Sequence, residues 1–355
     1  MIYREAGQFK TSYAADGRIF PIRQDRIAMG GLFAVAFFLV PILGNDYWFG
    51  AILIPFLILS LAALGLNILT GYAGQLSLGS AAFMAVGAFA AFNLMLRIPG
   101  LPVLVAFAGA GLVAAGVGLL FGLPSLRIKG FYLAVTTLAA QFVIEWVLTK
   151  FAWFSNYNPS GVISAQKMVI LGMHIDKPVS RYLLTLGVVS VLALVAKNLV
   201  RSRVGRAWMA VRDMDVAAEV IGIPMLRTKL SAFAVSSFYC GIAGALWAFA
   251  YLGSVEPQAF DLTRSFQILF MIIIGGMGSV LGSFLGAAFI VLLPISLNVA
   301  AHSLFSGGVS QSLASNLELM TFGALIIFFL AVEPHGLARL WQIGKEKLRL
   351  WPFPH

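Results

Sequence analysis

Charged residues are scarce in this chain. Of its 355 residues, 11% are charged and 60% are hydrophobic. A soluble protein of this length could not cover so much apolar surface with so few charges. A membrane barrel is also excluded, because barrel strands alternate polar and apolar residues, whereas the apolar runs here are continuous and about twenty residues long. The composition therefore predicts an all-α polytopic membrane protein, in which each helix satisfies its own backbone hydrogen bonds in lipid.

The residues that build disulfides, metal sites and nucleotide sites are few as well. Cys240 is the single cysteine, which excludes an intrachain disulfide. The four histidines are scattered and show no metal-ligand spacing. No Gly-x-x-x-x-Gly-Lys-Ser/Thr phosphate loop occurs, so this chain cannot itself be a nucleotide-binding subunit. We expect no enzymatic activity, no metal and no cofactor bound by this chain.

Apolar windows between polar or Gly/Pro breaks give about ten transmembrane or re-entrant helices. The eighth is short enough to be a broken or re-entrant helix. The ten windows lie at 27–44, 48–70, 78–97, 102–123, 131–153, 181–200, 228–252, 265–276, 282–300 and 317–333.

The basic residues fall almost entirely on one side of these segments. With the amino terminus inside, the cytoplasm receives most of the net charge of +10, and the 154–180 loop lies outside. This obeys the positive-inside rule, so we expect both termini in the cytoplasm and no nucleic-acid partner. The chain then divides into a cytoplasmic segment 1–26, a transmembrane domain 27–335 and a basic, aromatic cytoplasmic tail 336–355, which is typical of an interfacial helix on membrane lipid.

Two glycine-rich breaks, 71–83 and 275–289, look like copies of one another. Each interrupts an apolar run, restarts with small residues and ends in Ala-Ala-Phe, which indicates an internal repeat. Paired interrupted helices in the two halves of a chain point to a central transport pathway. The other interpretation is that the glycines only allow close helix packing.

A polar island, residues 201–229, separates two apolar runs in the second half of the chain. Its Ala-Ala-Glu core at 217–219 favours a helix, and Gly222 followed by Pro224 should end that helix. Such a helix at the membrane surface is a docking element for a soluble partner, whereas a solvated loop would only set the topology.

The charges of the island bear on that choice. Arg206 and Arg212 could bind lipid phosphates, as basic residues at this boundary usually do. Asp213, Asp215 and Glu219 would be repelled by an anionic membrane, so they favour a protein partner.

Polar residues of the fifth segment share one helix face. Thr137, Gln141 and Glu145 recur every four residues. Glu145 lies either in a polar cavity of the pathway or in a structural pair with Lys150 near the outer interface. We favour the pair, because a fixed carboxylate on the pathway would repel any solute that carries a carboxylate.

The first glycine break suits an anionic group better. Gln75, Ser77 and the backbone that restarts at Gly79 offer donors, and the amides at a helix start attract negative charge. The competing role of these groups is hydrogen bonding between helices.

Several motifs, in order along residues 50 to 335, resemble permeases of branched-chain amino-acid ABC importers of the LivM type. The island segment 206–223 is similar to the cytoplasmic EAA-type loop of that family. The other motifs are Gly-Leu-Asn67-x-x-x-Gly71-Tyr-x-Gly74-Gln75-x-Ser77-Leu-Gly79, Leu-Arg127-Ile-Lys-Gly130-x-Tyr132-Leu-Ala134-x-x-Thr137-Leu and Ile274-Gly-Gly-Met-Gly-Ser279. The chain departs from the family at 155–161, where a Thr-Gly-Gly-x-x-Gly-rich turn is usual. This leaves open whether the substrate is a branched-chain amino acid, urea, an amide, or an aromatic or other small carboxylate.

The resemblance implies a permease subunit of an ATP-driven importer in the bacterial inner membrane, with a LivH-like second permease, two ATPase subunits that bind ATP, and a periplasmic substrate-binding protein. The residues expected to line the substrate pathway are Asn67, Gly74, Gln75, Ser77, Gly79, Thr137, Gln141, Gly276, Gly278 and Ser279. Those expected to couple to an ATPase are Arg206, Arg212, Asp213, Asp215, Ala217, Ala218, Glu219 and Gly222.

Two other function classes fit the sequence less well. An ion-coupled secondary transporter of small organic solutes needs buried acidic groups, and Glu145 is almost the only one in the apolar segments. A membrane-embedded enzyme needs clustered His, Asp, Glu or Cys at the ends of its helices, and the sequence has no such cluster.

Overall fold

The structure is a computed structural model, and it describes residues 11–12, 23–125, 132–158, 162–166, 168–170, 173–304, 320–321, 323–325, 327–329, 331 and 336–350. Nearly all of this part is helical. Eight of its helices are long and apolar enough to cross a membrane. The predicted class, an all-α polytopic membrane protein, is confirmed.

The helices are numbered in chain order. The first two are α1 (Arg23–Ala34, continued by a π-helical turn Val35–Leu39 and by Val40–Leu43) and α2 (a π-helical turn Trp48–Leu53, then Ile54–Asn67, then a second π-helical turn Ile68–Tyr72). They are followed by α3 (Ser80–Arg97), α4 (Val103–Ser125), α5 (Tyr132–Lys150), α6 (Pro178–Arg201), α7 (Arg203–Asp213) and α8 (Asp215–Val220). The last are α9 (Met225–Leu246, continued by a π-helical turn Trp247–Leu252), α10 (Leu262–Gly275), α11 (Val280–Leu304) and α12 (Gly336–Leu350).

The centre of the bundle is formed by α2 and α9. Of the most apolar stretch of each, 83% is buried, whereas none of the corresponding stretch of α1 is. Because a helix that is apolar on every face can be buried on every face, these two form the core. Helix α1 packs at the margin, where Tyr182 Oη of α6 donates to Ala36 O at 3.0 Å.

Glycine allows α3 and α9 to touch along their backbones. A Cβ on Gly87 would overlap the backbone of Gly241, and one on Gly244 would overlap the carbonyl of Met84. Such close approach is how helices associate in lipid, where apolar burial itself adds little.

The predicted segments correspond to these helices with small shifts at their ends. The first seven segments and the ninth are the eight spanning helices. The short eighth segment is α10, whose 14 residues reach about 21 Å at 1.5 Å per residue, less than the roughly 30 Å of a hydrocarbon core. Of the tenth segment the structure describes 320–321, 323–325, 327–329 and 331, all of them helical. The side of each terminus stays a prediction.

Short strands join the loops at the end of the bundle opposite the polar island. Strand β1 (Ile163–Ser164) pairs antiparallel with β4 (Ser254–Val255), and β2 (Val169–Ile170) pairs with β3 (Met173–His174). A 3₁₀ turn, Pro257–Phe260, then leads from β4 into α10.

Candidate functional site

Asn67, the last residue of the α-helical part of α2, lies just before the first glycine-rich break and forms hydrogen bonds with the second. Its side chain is fully buried. Its Nδ2 donates to Ser279 O at 2.8 Å and to Ser283 Oγ at 2.9 Å, and its Oδ1 accepts from Gly278 N at 2.8 Å. A single amide therefore holds the end of α2 to the segment between α10 and α11.

Arg212 of the polar island reaches the same place. Its Nη1 donates to Gly71 O at 2.8 Å, and its Nε donates to Asp213 Oδ1 at 2.8 Å. A Cβ built on Gly278 would lie 3.4 Å from Nη1. The arginine thus contacts the first break by a hydrogen bond and the second by close packing.

Glycine is required where this arginine passes. Gly74 has φ +68 and Gly278 has φ +76, a conformation that favours glycine. A Cβ on Gly74 would lie 2.8 Å from Arg212 Cγ and 3.3 Å from its Cα. We call the set Asn67, Gly71, Gly74, Arg212, Gly278 and Ser279 the junction. It combines residues that the sequence assigned to two separate roles, the pathway and the ATPase contact.

The second break also meets the carboxyl-terminal helix. Gly276 is buried, with φ +113. Gly336, the first residue of α12, lies so close that a Cβ on it would be 2.6 Å from Gly276 N and from Ile274 O. At the far end of α12, Lys345 Nζ forms an ion pair with Asp25 of α1 at 3.1 Å.

Thr137 and Gln141, both almost fully buried, cap the start of α3. Leu78 N donates to Thr137 Oγ1 at 2.9 Å, and Ala82 N donates to Gln141 Oε1 at 2.8 Å. A Cβ on Gly79 would lie 2.5 Å from Thr137 O, so α5 passes directly beside this turn.

A third side chain, Ser265 of α10, accepts from Ala81 N at 2.9 Å. The expectation that the α3 start offers open amides to an anion is therefore corrected: three of these amides already bond to neutral side chains. The reason is that the first turn of α3 packs against α5 and α10 instead of facing an open space.

Gln75 and Ser77 lie in the extended segment between the junction and α3, and both are buried. Gln75 Nε2 donates to Lys229 O at 3.4 Å, whereas its Oε1 has no partner among the described residues. Ser77 Oγ accepts from Gly79 N at 3.5 Å. Gln75 therefore keeps an acceptor that a passing solute could use.

Glu145 lies half-buried on α5. Both it and Lys150 are described, and no ion pair joins them, so the predicted structural pair is not formed. Lys150 is five residues further on and on a different helix face, which explains why the pair is absent.

The polar island folds into two short helices. Helix α7 begins at Ser202, whose Oγ accepts from Val204 N at 3.2 Å, and it is tied to α9 by the fully buried Trp208, which donates from Nε1 to Ser231 Oγ at 2.9 Å. Arg206 is exposed and donates to Arg201 O at 3.4 Å.

Helix α8 contains the predicted core, and it ends before Gly222 as predicted. Gly222 has φ +87, and Ile223 N donates back to Ala218 O at 3.0 Å, which closes the helix. Ala218 is buried, while Ala217 and Glu219 are exposed.

Four large apolar side chains around α8 are strongly exposed, which the sequence pattern did not lead us to predict. They are Met214 at 67%, Val216 at 65%, Val220 at 82% and Ile221 at 73% exposed. Asp213 and Glu219 are exposed beside them. We call these four apolar residues the α8 patch. The signal was in the sequence, because apolar residues alternate there with charges on a helix too short to bury both faces.

Comparison with known proteins identifies the family. A model of the family described as "Branched-chain amino acid transport system / permease component" matches residues 49–330. The high-affinity branched-chain amino acid permease protein LivM of Salmonella typhimurium and that of Escherichia coli are each 30% identical over 297 residues, which is 77% of this chain and 66%, just under two thirds, of each relative. A probable LivM permease of Methanocaldococcus jannaschii is 23% identical over 330 residues, 82% of this chain and 91% of the relative.

No solved structure matches the chain. The family match extends from the beginning of α2 to beyond α11, so it includes the junction, the polar island and the start of α3. The chain belongs to the family of permease components of branched-chain amino acid transport systems.

Proposed function

We propose that this chain is a transmembrane permease subunit of an ATP-driven importer, and that the polar island transmits the movement of a separate ATPase to the glycine-rich breaks. One observation carries the proposal: Arg212, on the island, donates to Gly71 O at 2.8 Å and packs against Gly74 and Gly278. Displacement of α7 would therefore displace the ends of α2 and α11 directly.

The α8 patch is the surface proposed to dock in a groove of an ATPase subunit. Exposed apolar side chains on a short helix are costly in water and mark interaction sites. Lipid is a poorer partner for this surface, because the carboxylates of Asp213 and Glu219 beside it would be repelled by anionic headgroups. A solvated loop would not present four large apolar side chains.

The remaining partners follow from the family. We propose a second, LivH-like permease, two ATPase subunits and a periplasmic binding protein, in a bacterial inner membrane. Helix α1 offers a face for the second permease or for lipid, because its apolar stretch is unburied within this chain. The LivM relatives are named for branched-chain amino acids, and we propose that class, or a related small carboxylate or amide, as the substrate.

Aspartate in the α8 patch tests the docking surface. Val220→Asp and Val216→Asp place a charge in a contact that should be apolar, so the ATPase should co-purify at least tenfold less. Val204→Asp is the matched control, since Val204 is a 44%-exposed apolar residue of the same island on α7. Binding-protein-stimulated ATP hydrolysis and substrate uptake should fall with co-purification in the two patch variants only.

Equal behaviour of the patch variants and the control would contradict the proposal. If both patch variants retain the ATPase, hydrolysis and uptake at the level of Val204→Asp, the island is a solvated loop. Charge reversal by Asp215→Lys or Glu219→Lys tests the carboxylates beside the α8 patch separately from its apolar side chains. We expect charge reversal to have the smaller effect, because these carboxylates remain partly in water.

A further inference from the structure

Helix α10 begins in the middle of the bundle. Gln141, the tenth residue of the 19-residue α5, donates from Nε2 to Phe260 O at 2.8 Å, and Ser265 Oγ donates to Gln141 Oε1 at 3.1 Å. The first turn of α10 is therefore level with the middle of a membrane span, and it lies beside the start of α3. Two interrupted helices whose starts meet at this level are typical of solute sites in transporters.

Arg264 lies in this first turn and is half-buried. Its Nη1 donates to Gln267 Oε1 at 2.9 Å, and its guanidinium carbon lies 4.5 Å from the centre of the Trp247 ring. Among the described residues, Gln267 is the only hydrogen-bond acceptor of its side chain and no carboxylate forms an ion pair with it. An arginine at this level without a carboxylate in ion-pair contact is costly, which marks it as a functional group.

Trp247 adds a buried donor without an acceptor. Its side chain is 3% exposed, and its Nε1 has no partner among the described residues. The ring packs against Tyr251 at an interplanar angle of 48°, with the two centres 4.5 Å apart. Both residues belong to the π-helical turn Trp247–Leu252, and such turns occur frequently at functional sites.

The carboxylate of Asp261 lies close to Arg264, but one of its oxygens already accepts a hydrogen bond. Asp261 Oδ1 accepts from the backbone N of Arg264 at 2.9 Å and so caps α10. The charge of Asp261 also interacts electrostatically with the Arg264 guanidinium. These groups and the aromatic rings together are complementary to the two ends of a zwitterion. The carboxylate of the solute would face the guanidinium, and its ammonium group would face the aspartate and the faces of the aromatic rings.

We propose that Arg264 receives the carboxylate of the transported solute at mid-span, and that Trp247, Tyr251 and Asp261 surround it, so that this half of the permease pair selects amino acids over analogues that lack the carboxylate. The inference rests on the proposed transport function. It adds a pathway residue that lies outside both glycine-rich breaks.

Arg264→Gln tests the carboxylate contact in the complete importer, reconstituted in proteoliposomes with ATP and the binding protein. Leucine and leucinamide, which lacks the carboxylate, are the probes. We expect the ratio of leucine uptake to leucinamide uptake to fall at least tenfold, because glutamine cannot form the charged bidentate contact. Arg264→Lys should recover part of the ratio. A purely structural role would lower both uptakes together and leave the ratio unchanged.

Arg97→Gln is the matched control. Arg97 also lies over an indole, 3.8 Å from the centre of the Trp153 ring, but at the outer end of α3. Its replacement should leave the uptake ratio at the wild-type value. An unchanged ratio in Arg264→Gln, or an equal fall in both variants, would overturn the proposal.

Thiol labelling separates failure of this proposal from failure of the proposed function. Arg264→Cys in a Cys240→Ser background introduces the chain's single cysteine at the site. A site on an aqueous pathway should react with methanethiosulfonate ethylsulfonate, and leucine should slow that reaction. If wild type shows no ATP-driven uptake, the proposed function fails while labelling still decides the site. Absence of labelling in an active importer rejects the Arg264 site alone.

Discussion

At the scale of single residues, the junction shows why two predicted roles converge. Asn67 satisfies three polar groups of the second break with one amide, and Arg212 bonds to the first break from the island. Buried polar groups that lose their partners cost about 1–3 kcal/mol each, so these contacts fix the relative position of three chain segments. Because they connect residues more than 130 positions apart, no local pattern in the sequence reveals them.

Gly74→Leu should abolish transport while the protein still inserts. The new side chain would begin 2.8 Å from Arg212 Cγ and would force the arginine away from Gly71 O. Uptake and binding-protein-stimulated hydrolysis of the reconstituted complex are the measurements. Gly100→Leu is the control, because Gly100 also has a left-handed φ, +85, but has open space around it.

Both substitutions carry the same backbone strain, about 1–2 kcal/mol for a residue in the left-handed region. Any difference between them therefore reports the contact with Arg212. Equal, near-normal uptake by both variants would show that the junction tolerates displacement of Arg212. Glycine would then be needed at position 74 only for its left-handed backbone conformation.

At the scale of elements, α12 is a support for the second break. It begins at Gly336, in backbone contact with Gly276, and its middle packs along α11 around a cavity of about 410 Å³ lined by Leu285, Leu337, Leu340, Trp341, Gly344 and Lys345. Leu340 and Trp341 remain exposed, which suits a helix that lies in a membrane surface.

Gly336→Ala should detach α12 from the second break. Its Cβ would lie 2.6 Å from two backbone atoms that cannot rotate away, and φ +68 adds strain. We expect faster trypsin cleavage within the basic tail of the purified protein. Gly344→Ala is the control, since nothing lies within 4 Å of it and alanine stabilises a helix interior by roughly 0.5–1 kcal/mol relative to glycine. Equal cleavage rates in the two variants would contradict the packing of Gly336.

Hydropathy was sufficient to predict the helices but not their contacts. Continuous apolar runs fix where α2, α3 and α9 begin and end to within a few residues, because lipid leaves the backbone no alternative to a helix. The polar residues of α5 were also recognised, on one face. Their partners were not, since Thr137 and Gln141 bond to the start of α3, which only the tertiary fold brings near.

Two features were missed for different physical reasons. Arg264 was overlooked because it lies one residue before the predicted segment 265–276, where a single charge has no periodic signal. Its importance depends on the depth at which α10 begins. The α8 patch was not predicted, because the expected role of this segment rested on its charged residues. The exposure of Val220 and Ile221 follows from the shortness of the helix.

At the scale of the whole molecule, the two ends of the bundle differ in kind. One end carries the polar island, the junction and the start of α12, joined through Arg212, Asn67 and Gly336. The other end carries the β1–β4 pair and the loop before α6. The positive-inside rule assigns the first end to the cytoplasm, because the island and the tail hold many of the basic residues.

Val220→Cys and Tyr157→Cys, each in a Cys240→Ser background, test this orientation. Val220 is 82% exposed on the island, and Tyr157 is 73% exposed in the loop after α5. Both thiols would therefore be open to reagent in cells that express this chain without its ATPase subunits, which would otherwise cover Val220. In intact cells a membrane-impermeant maleimide should label position 157 and should reach position 220 only after the inner membrane is opened. The Cys240→Ser chain without an added cysteine sets the background. If position 220 is labelled in intact cells and position 157 is not, the orientation in the membrane is opposite to the predicted one. The α8 patch and the junction would then be out of reach of a cytoplasmic ATPase.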